Sequence, residues 1–235
     1  QATAEAAWHA RHRAAFGRTL IDHPAMTAVI ADLQLEAEAA TATALRLARA
    51  HDEDAAASDL AFARLATAVA KYWICKRGPG HAYEALECLG GNGYTEAFPL
   101  AMRYREQPVM AVWEGSGNVI ALDVLRALGR EPDALAAFDA EVALAAGTHP
   151  LFDAHLDRVR SLVREVAADP VPEARARGLV SAMALALQAS LLLRTAPSIV
   201  AEAFVATRLG DRPFGGALYG DLPAGTDAGS IAARA

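Results

Sequence analysis

One carboxylate stands apart from the others by its neighbours. Val112-Trp113-Glu114-Gly115-Ser116-Gly117-Asn118 puts Glu114 between an aromatic ring and a glycine, just ahead of a helical pattern. Read as chemistry, Glu114 is a general base in an apolar slot against Trp113, its proton affinity set by burial and neighbours. Read as structure, it is an acid that stabilises a helix N-terminus, and in isolation that reading is the stronger.

Two further stretches carry binding chemistry. Glu87-Cys88-Leu89-Gly90-Gly91-Asn92-Gly93-Tyr94 sets paired glycines after a helix, where the backbone can approach an anion closely. The plain alternative is a glycine helix stop. Arg11-His12-Arg13-Ala14-Ala15-Phe16-Gly17 brings a guanidinium and a ring within three residues, suited to a phosphate-bearing ligand. The usual fate of such an arginine is a solvated helix face.

The elements that must position these residues are helical. The chain has 235 residues, 54% hydrophobic and only 6% aromatic, and 58 of its positions are Ala. Ala favours helix and disfavours strand. Met26, Val29, Ile30, Leu33, Ala37, Ala40, Ala44 and Leu47 repeat at helical spacing, which predicts a helix over 24–50 with Pro24 in its first turn. Ser58 predicts the cap of a second helix over 58–89, carrying Phe62, Leu65, Val69 and Trp73. Pro79 predicts a kink or a short break in it, and Gly90-Gly91 a stop. Residues 90–112 read as loop plus a short helix. Helices follow over 116–128, ended by Gly129, and over 133–146, 151–168, 172–195 and 198–209. The tail from Gly210 reads as partly irregular. The fold class is all-α: an antiparallel bundle with a C-terminal helical extension. Met26, Ile30, Leu33, Phe62, Leu65 and Val69 are its expected core.

Composition excludes other classes. A net charge of −6 does not suit bulk electrostatic binding of nucleic acid. Only Lys71 and Lys76 are lysines among 22 basic residues, a skew that coding bias explains as readily as chemistry. No membrane partner is expected: the stretch from Leu179 to Leu193 is shorter than the roughly 20 residues a bilayer needs and holds polar residues. No metal site is expected. Cys75 and Cys88, if on one helix, are separated by about 20 Å of rise, too far for a disulfide, so two free thiols and a reducing, cytoplasmic setting are predicted. The start, Gln1-Ala2-Thr3, shows no targeting run and reads as a helix already under way in a longer chain.

Order and spacing together are more specific than any single stretch. Arg13, Phe16, Gly17 and Leu20, then Leu89-Gly90-Gly91-Asn92-Gly93-Tyr94, then Arg105-Glu106, then Trp113-Glu114-Gly115-Ser116 with Val119 and Ile120, resemble the C-terminal helical domain of the acyl-CoA dehydrogenase family of flavoproteins. Ile74-Cys75-Lys76-Arg77, Glu87, Trp113-Glu114-Gly115-Ser116-Gly117-Asn118, Leu122-Asp123-Val124-Leu125-Arg126 and the helical extension after Gly129 resemble its AidB-like branch, known from the adaptive response to DNA alkylation. Pro24 and Glu87 stand where the common pattern has glutamines of the flavin-binding surface.

The resemblance implies an organisation: residues 1–129 as the family's helical bundle, residues 130–235 as an AidB-like extension, and no N-terminal helical or central β domain within this chain. It implies FAD as cofactor, an acyl-CoA thioester as substrate and a homodimer or homotetramer. It implies Glu114 as the base, and Arg13, Phe16, Glu87, Gly90, Gly91, Gly115 and Ser116 at the cofactor. The chain alone is expected not to retain FAD. A second reading makes the protein an AidB-like flavoprotein that binds or protects DNA, with Arg126, Arg130, Arg158, Arg160 and Arg164 as a basic stripe. A third makes it an oligomerisation module without chemistry of its own.

Overall fold

A computed structural model describes residues 1–211 and 218–235. The elements are α1 (Ala2–His12), a hairpin of β1 (Ala14–Ala15) and β2 (Arg18–Thr19), a 3-10 turn over Leu20–Asp22, α2 (Pro24–Arg49), α3 (Ala57–Glu87), α4 (Gly91–Tyr94), α5 (Leu100–Met110), α6 (Gly117–Arg130), α7 (Pro132–Ala143), α8 (Pro150–Ala167), a 3-10 turn over Pro172–Arg175, α9 (Ala176–Thr195), α10 (Ser198–Arg208) and α11 (Ala228–Ala232). The all-α class holds. The expected irregular tail from Gly210 falls partly on residues 212–217, outside the described residues.

The chain forms two compact units, each drawn from several segments. The first comprises Gln1–Glu38, Arg77–Met110 and Ser198–Ala235. Its core holds Ala6, Ile30, Leu33, Leu100, Phe204 and Ile231, each buried completely. Here the first half of α2 runs antiparallel to the end of α3: Leu33 O meets the His81 ring at 3.1 Å, and Glu36 meets Arg77 at 3.1 Å. A four-charge cluster of Asp32, Glu36, Arg77 and Arg208 is buried between these helices and α10.

The second unit comprises Ala39–Lys76 and Ala111–Pro197. It is a bundle in which α9 packs against α6, α7 and α8. Phe62, Leu65, Val69, Val124, Phe138, Phe152, Leu179, Met183 and Leu187 fill it. Arg46 ties α2 to α3 through Asp59 at 2.8 Å, and it reaches Glu141 of α7 at 2.8 Å. Pro132 and Pro150 open α7 and α8 at positions where a missing N–H costs nothing.

Several expectations need correction. Helix α3 runs unbroken through Pro79. One proline removes one hydrogen bond, and buried Ala82 and Ala85 hold the following turns in place. The first turn of α3 begins at Ala57, and the carboxylate of Asp59 accepts the Ala56 N–H at 3.3 Å, so Ser58 is not the cap. Helix α6 passes through Gly129, which keeps a negative φ; Pro132, opening the next helix, sets the boundary. Met26 is half-buried, while the other five expected core residues are buried. The helical run Pro172–Thr195 is long and apolar enough to cross a membrane by composition, but 67% of its apolar window is buried inside the protein. Its apolar surface is used against α6, α7 and α8.

Candidate functional site

In the second unit, residues 111–116 form the turn that leads into α6. Glu114 has φ +53° and Gly115 φ +113°. Left-handed backbone is costly for a residue with a Cβ. A Cβ on Gly115 would also sit 2.9 Å from Ile120 Cδ1, the tip of a side chain that would have to shift. Ser116 precedes the first residue of α6 and its carbonyl accepts the Ile120 N–H at 3.0 Å, but its hydroxyl makes no capping bond. Thus Glu114, Gly115 and Ser116 stand together on one strained turn.

Beneath that turn lies a residue that the sequence did not single out for chemistry. Lys71 Nζ donates to Trp113 O at 2.8 Å and to Gly115 O at 2.7 Å. Lys76 crosses Gly117 so closely that a Cβ there would meet its Cε at 2.5 Å. The only sequence signal was that these are the two lysines of an arginine-rich chain.

The expected apolar slot is absent. Glu114 is exposed and Trp113 is 55% exposed. The space beneath the turn, lined by Lys71, Tyr72, Cys75, Lys76 and Gly115, is about 10 Å³, room for one water at most. Within this unit Gly115 faces Ile120 and Val119, and Glu114 is exposed.

The first unit holds two other groups of candidates. Arg13 ends α1, and its N–H donates to His9 O at 2.9 Å. Ala14 then pairs with Thr19, and Ala15 with Arg18. Phe16 and Gly17 form the two-residue loop of this hairpin, with φ +54° and +84°. Such a loop needs positive φ at both central positions, where Asn or Gly is the usual occupant. Phe16 is 92% exposed, so its ring gains nothing from the core. The hairpin had gone unread in the sequence; its one signal was Gly17 after Phe16.

At the end of α3, Gly90 takes φ +58° and α4 starts at Gly91. Nothing lies within 4 Å of where a Cβ would stand on Gly90 or Gly91, so both present bare backbone. Gly93 differs, because a Cβ on it would run into the Leu86 carbonyl. Glu87 is exposed and accepts the Tyr83 hydroxyl, which raises the tyrosine pKa. A cavity of about 580 Å³ lined by Tyr83, Leu86, Tyr94, Glu96, Tyr104 and Arg105 adjoins this turn. Arg105 there is held by Glu96 at 2.6 Å.

Taken one by one, these groups offer chemistry that a flavin nucleotide could use. Arg13 offers donors to a diphosphate, Phe16 offers a ring face, and Gly90 and Gly91 allow close approach. Glu87 adds a carboxylate beside Gly90 and Gly91, hydrogen-bonded by the Tyr83 hydroxyl.

The expected thiols are both free. Cys75 is half-buried in α3, and burial raises its pKa. Cys88 is buried just past α3, and burial, then Glu84 and Glu87, push its pKa to about 12.

Residues 1–129 match the acyl-CoA dehydrogenase C-terminal domain. AidB of Escherichia coli (strain K12), classed with the acyl-CoA dehydrogenases, is 38% identical over 162 residues, covering 69% of this chain and 30% of that protein. Acyl-CoA dehydrogenase family member 11 of Caenorhabditis elegans is 30% identical over 155 residues, 64% of this chain and 25% of that protein. The chain therefore spans less than a third of either relative. Among solved structures, Caenorhabditis elegans ACDH-11 in complex with C11-CoA matches 90% of this chain and 40% of its own, with TM-score 0.78 and 22% identity. An acyl-CoA dehydrogenase complexed with FAD from Bacillus anthracis matches 87% and 41%, with TM-score 0.60 and 16% identity.

Proposed function

The chain belongs to the acyl-CoA dehydrogenase family, and from that premise we propose that it is the C-terminal helical part of an FAD-dependent oxidoreductase acting on an acyl-CoA thioester. Its residues 130–235 are read as the extension of the AidB-like branch. In this reading Glu114 accepts the α-proton of the thioester as the α,β double bond forms. FAD, bound by the residues named next, would supply the acceptor for the β-hydrogen and its electron pair. Arg13, Phe16, Gly90, Gly91, Gly115 and Ser116 hold the cofactor, and Glu87 lies at its edge. The complete site needs a second copy of the chain, in a homodimer or homotetramer, and two free thiols suit a cytoplasmic setting.

The observation that carries this reading is conformational. Among the described residues, Phe16 and Glu114 are the two non-glycines with left-handed φ. Such strain costs about 1–3 kcal/mol at each site, is held by the surrounding structure and clusters at functional sites. Both side chains are exposed, so their own packing does not offset it. Both stand at positions that match the family's cofactor contact and base.

The DNA reading receives less support. Arg126, Arg158 and Arg160 are each paired with a carboxylate, on Asp123, Glu165 and Asp139. A salt titration of DNA binding tests it, because phosphate contacts give a steep slope.

The dehydrogenase reading is tested by Glu114→Gln in the flavoprotein that carries this chain. Turnover of acyl-CoA should vanish while flavin content stays unchanged. Undiminished turnover removes Glu114 from the mechanism.

A further inference from the structure

We propose that Lys71 is the positioning residue of the Glu114 turn, holding the backbone on both sides of that carboxylate. This rests on the reading of Glu114 as the base. The Lys71 ammonium donates to Trp113 O at 2.8 Å and to Gly115 O at 2.7 Å. The first carbonyl belongs to the peptide plane before Glu114, the second to the plane after Gly115. Between those two pinned planes lie the two residues of the turn with positive φ, +53° and +113°. A single ammonium thus fixes both ends of the strained segment.

The residue type fits the task. An ammonium is a compact charge with three donors that can serve two carbonyls from one point. A guanidinium spreads its donors over a planar fork suited to carboxylate and phosphate. The chain uses arginine nearly everywhere else, with two lysines among its 22 basic residues. Lys71 sits on α3, two turns past buried Phe62 and Leu65 and flanked by buried Ala70 and Tyr72, so its stem has a fixed base. Charge-assisted bonds to two carbonyls can hold a conformation that the φ preference of glutamate opposes. Misplacing a reacting group by about 1 Å can cost on the order of 100-fold in rate, so holding the turn is a catalytic requirement.

The test has two arms. In this chain, Lys71→Met should loosen the Glu114 and Gly115 backbone, read as a fall of their amide NMR order parameters from about 0.85 to below about 0.6, with α8 and α9 unchanged. Unchanged order parameters at Glu114 and Gly115 overturn the clamp, whatever Glu114 does. In the flavoprotein that carries the chain, Lys71→Met should lower kcat about 10–100-fold with KM and flavin content unaltered. Full kcat in Lys71→Met beside an inactive Glu114→Gln overturns the positioning role and leaves the base in place. Full turnover in Glu114→Gln overturns the base reading, and the catalytic role of Lys71 with it. A loss of flavin in Lys71→Met that accounts for all of the lost rate also overturns it.

Discussion

Arg208 donates to Asp32 at 2.6 Å with only 3% of its side chain and none of the aspartate exposed. The same guanidinium reaches Glu36 at 3.2 Å, and the Gly220 N–H donates to Asp32 at 2.9 Å. Removing one member of such a buried pair strands the other charge. Arg208→Met should lower unfolding stability by about 3–5 kcal/mol, read by urea denaturation. Adding Asp32→Leu should recover part of that loss, because Glu36 then keeps Arg77 and no charge is stranded. A double variant as unstable as the sum of the two singles would contradict the pairing.

Acid should unfold the protein in two stages. Burial is the largest influence on His81 and His155 and depresses the pKa of each; a backbone hydrogen bond opposes it at both, and at His81 Glu36 opposes it too while Arg77 adds to it. A histidine whose folded pKa lies below its unfolded value of about 6.5 binds its proton more readily when unfolded, so stability declines as pH falls below about 6.5. For Glu36 and Glu141, burial raises the pKa, but arginines outweigh it and both carboxyls are held below their usual range. Arg46 and Arg194 lie 2.8 and 2.6 Å from Glu141. Their contribution is present above about pH 4.3 and is lost as pH falls toward the lower folded values. The urea midpoint should fall gently below pH 6.5 and steeply below pH 4. A flat profile from pH 7 to 3 would rule this out.

The fold was readable because Ala density and apolar periodicity mark helices directly, and α2, α8 and α10 begin and end within one residue of expectation. The buried charges were not readable. Asp32 and Glu36 lie on α2 among polar and apolar residues alike, and only tertiary pairing with Arg77 and Arg208 makes their burial tolerable. The site was readable only through motif order, because what distinguishes Glu114 and Phe16 physically is a backbone angle. No side-chain type announces a left-handed φ, and Lys71 acts on carbonyls forty residues distant in sequence. The expected slot around Glu114 failed because its walls were inferred from Trp113, a neighbour in sequence that leaves it open in space.

Phe16 gives a contrast that separates strain from packing. Its ring is 92% exposed and its φ is +54°. In Phe16→Gly, relief of about 1–3 kcal/mol of strain meets a glycine entropy cost of about 0.5–1 kcal/mol. Stability should hold or rise slightly. Phe62, 1% exposed and stacked on Phe138 at 6.2 Å, should lose about 3–5 kcal/mol on replacement by Ala. Matching losses in the two variants, measured by thermal or urea unfolding, would place Phe16 in the core after all.

The two thiols should differ in reactivity. Cys88 is 5% exposed with its pKa pushed up to about 12, so almost no thiolate forms near pH 8. Cys75 is half-buried and also raised, with Lys71 partly offsetting burial. An aromatic disulfide reagent at pH 8 should label Cys75 slowly and Cys88 only on unfolding. Prompt reaction of two thiols in the native protein would contradict the burial of Cys88.

The 235-residue chain by itself should not retain FAD. Its candidate contacts are surfaces without an opposite wall: Phe16 projects from a hairpin, Gly90 and Gly91 have nothing within 4 Å of their open faces, and Glu114 and Trp113 stand exposed on their turn. Small-ligand sites enclose about 70–90% of the ligand surface, and an open wall leaves most of a dinucleotide in water. Glu87 adds a carboxylate near the place where the resemblance puts the cofactor, with the neutral Tyr83 hydroxyl hydrogen-bonded to it. Glu87→Gln should therefore improve flavin binding by the flavoprotein that carries this chain, while the chain alone should purify colourless with or without that change. The flavin absorbance band of the purified chain, set against its protein absorbance, decides the matter. A stoichiometric yellow chain would mean that residues 1–235 enclose the cofactor, and that the open surfaces at Phe16, Gly90 and Gly91 close around it.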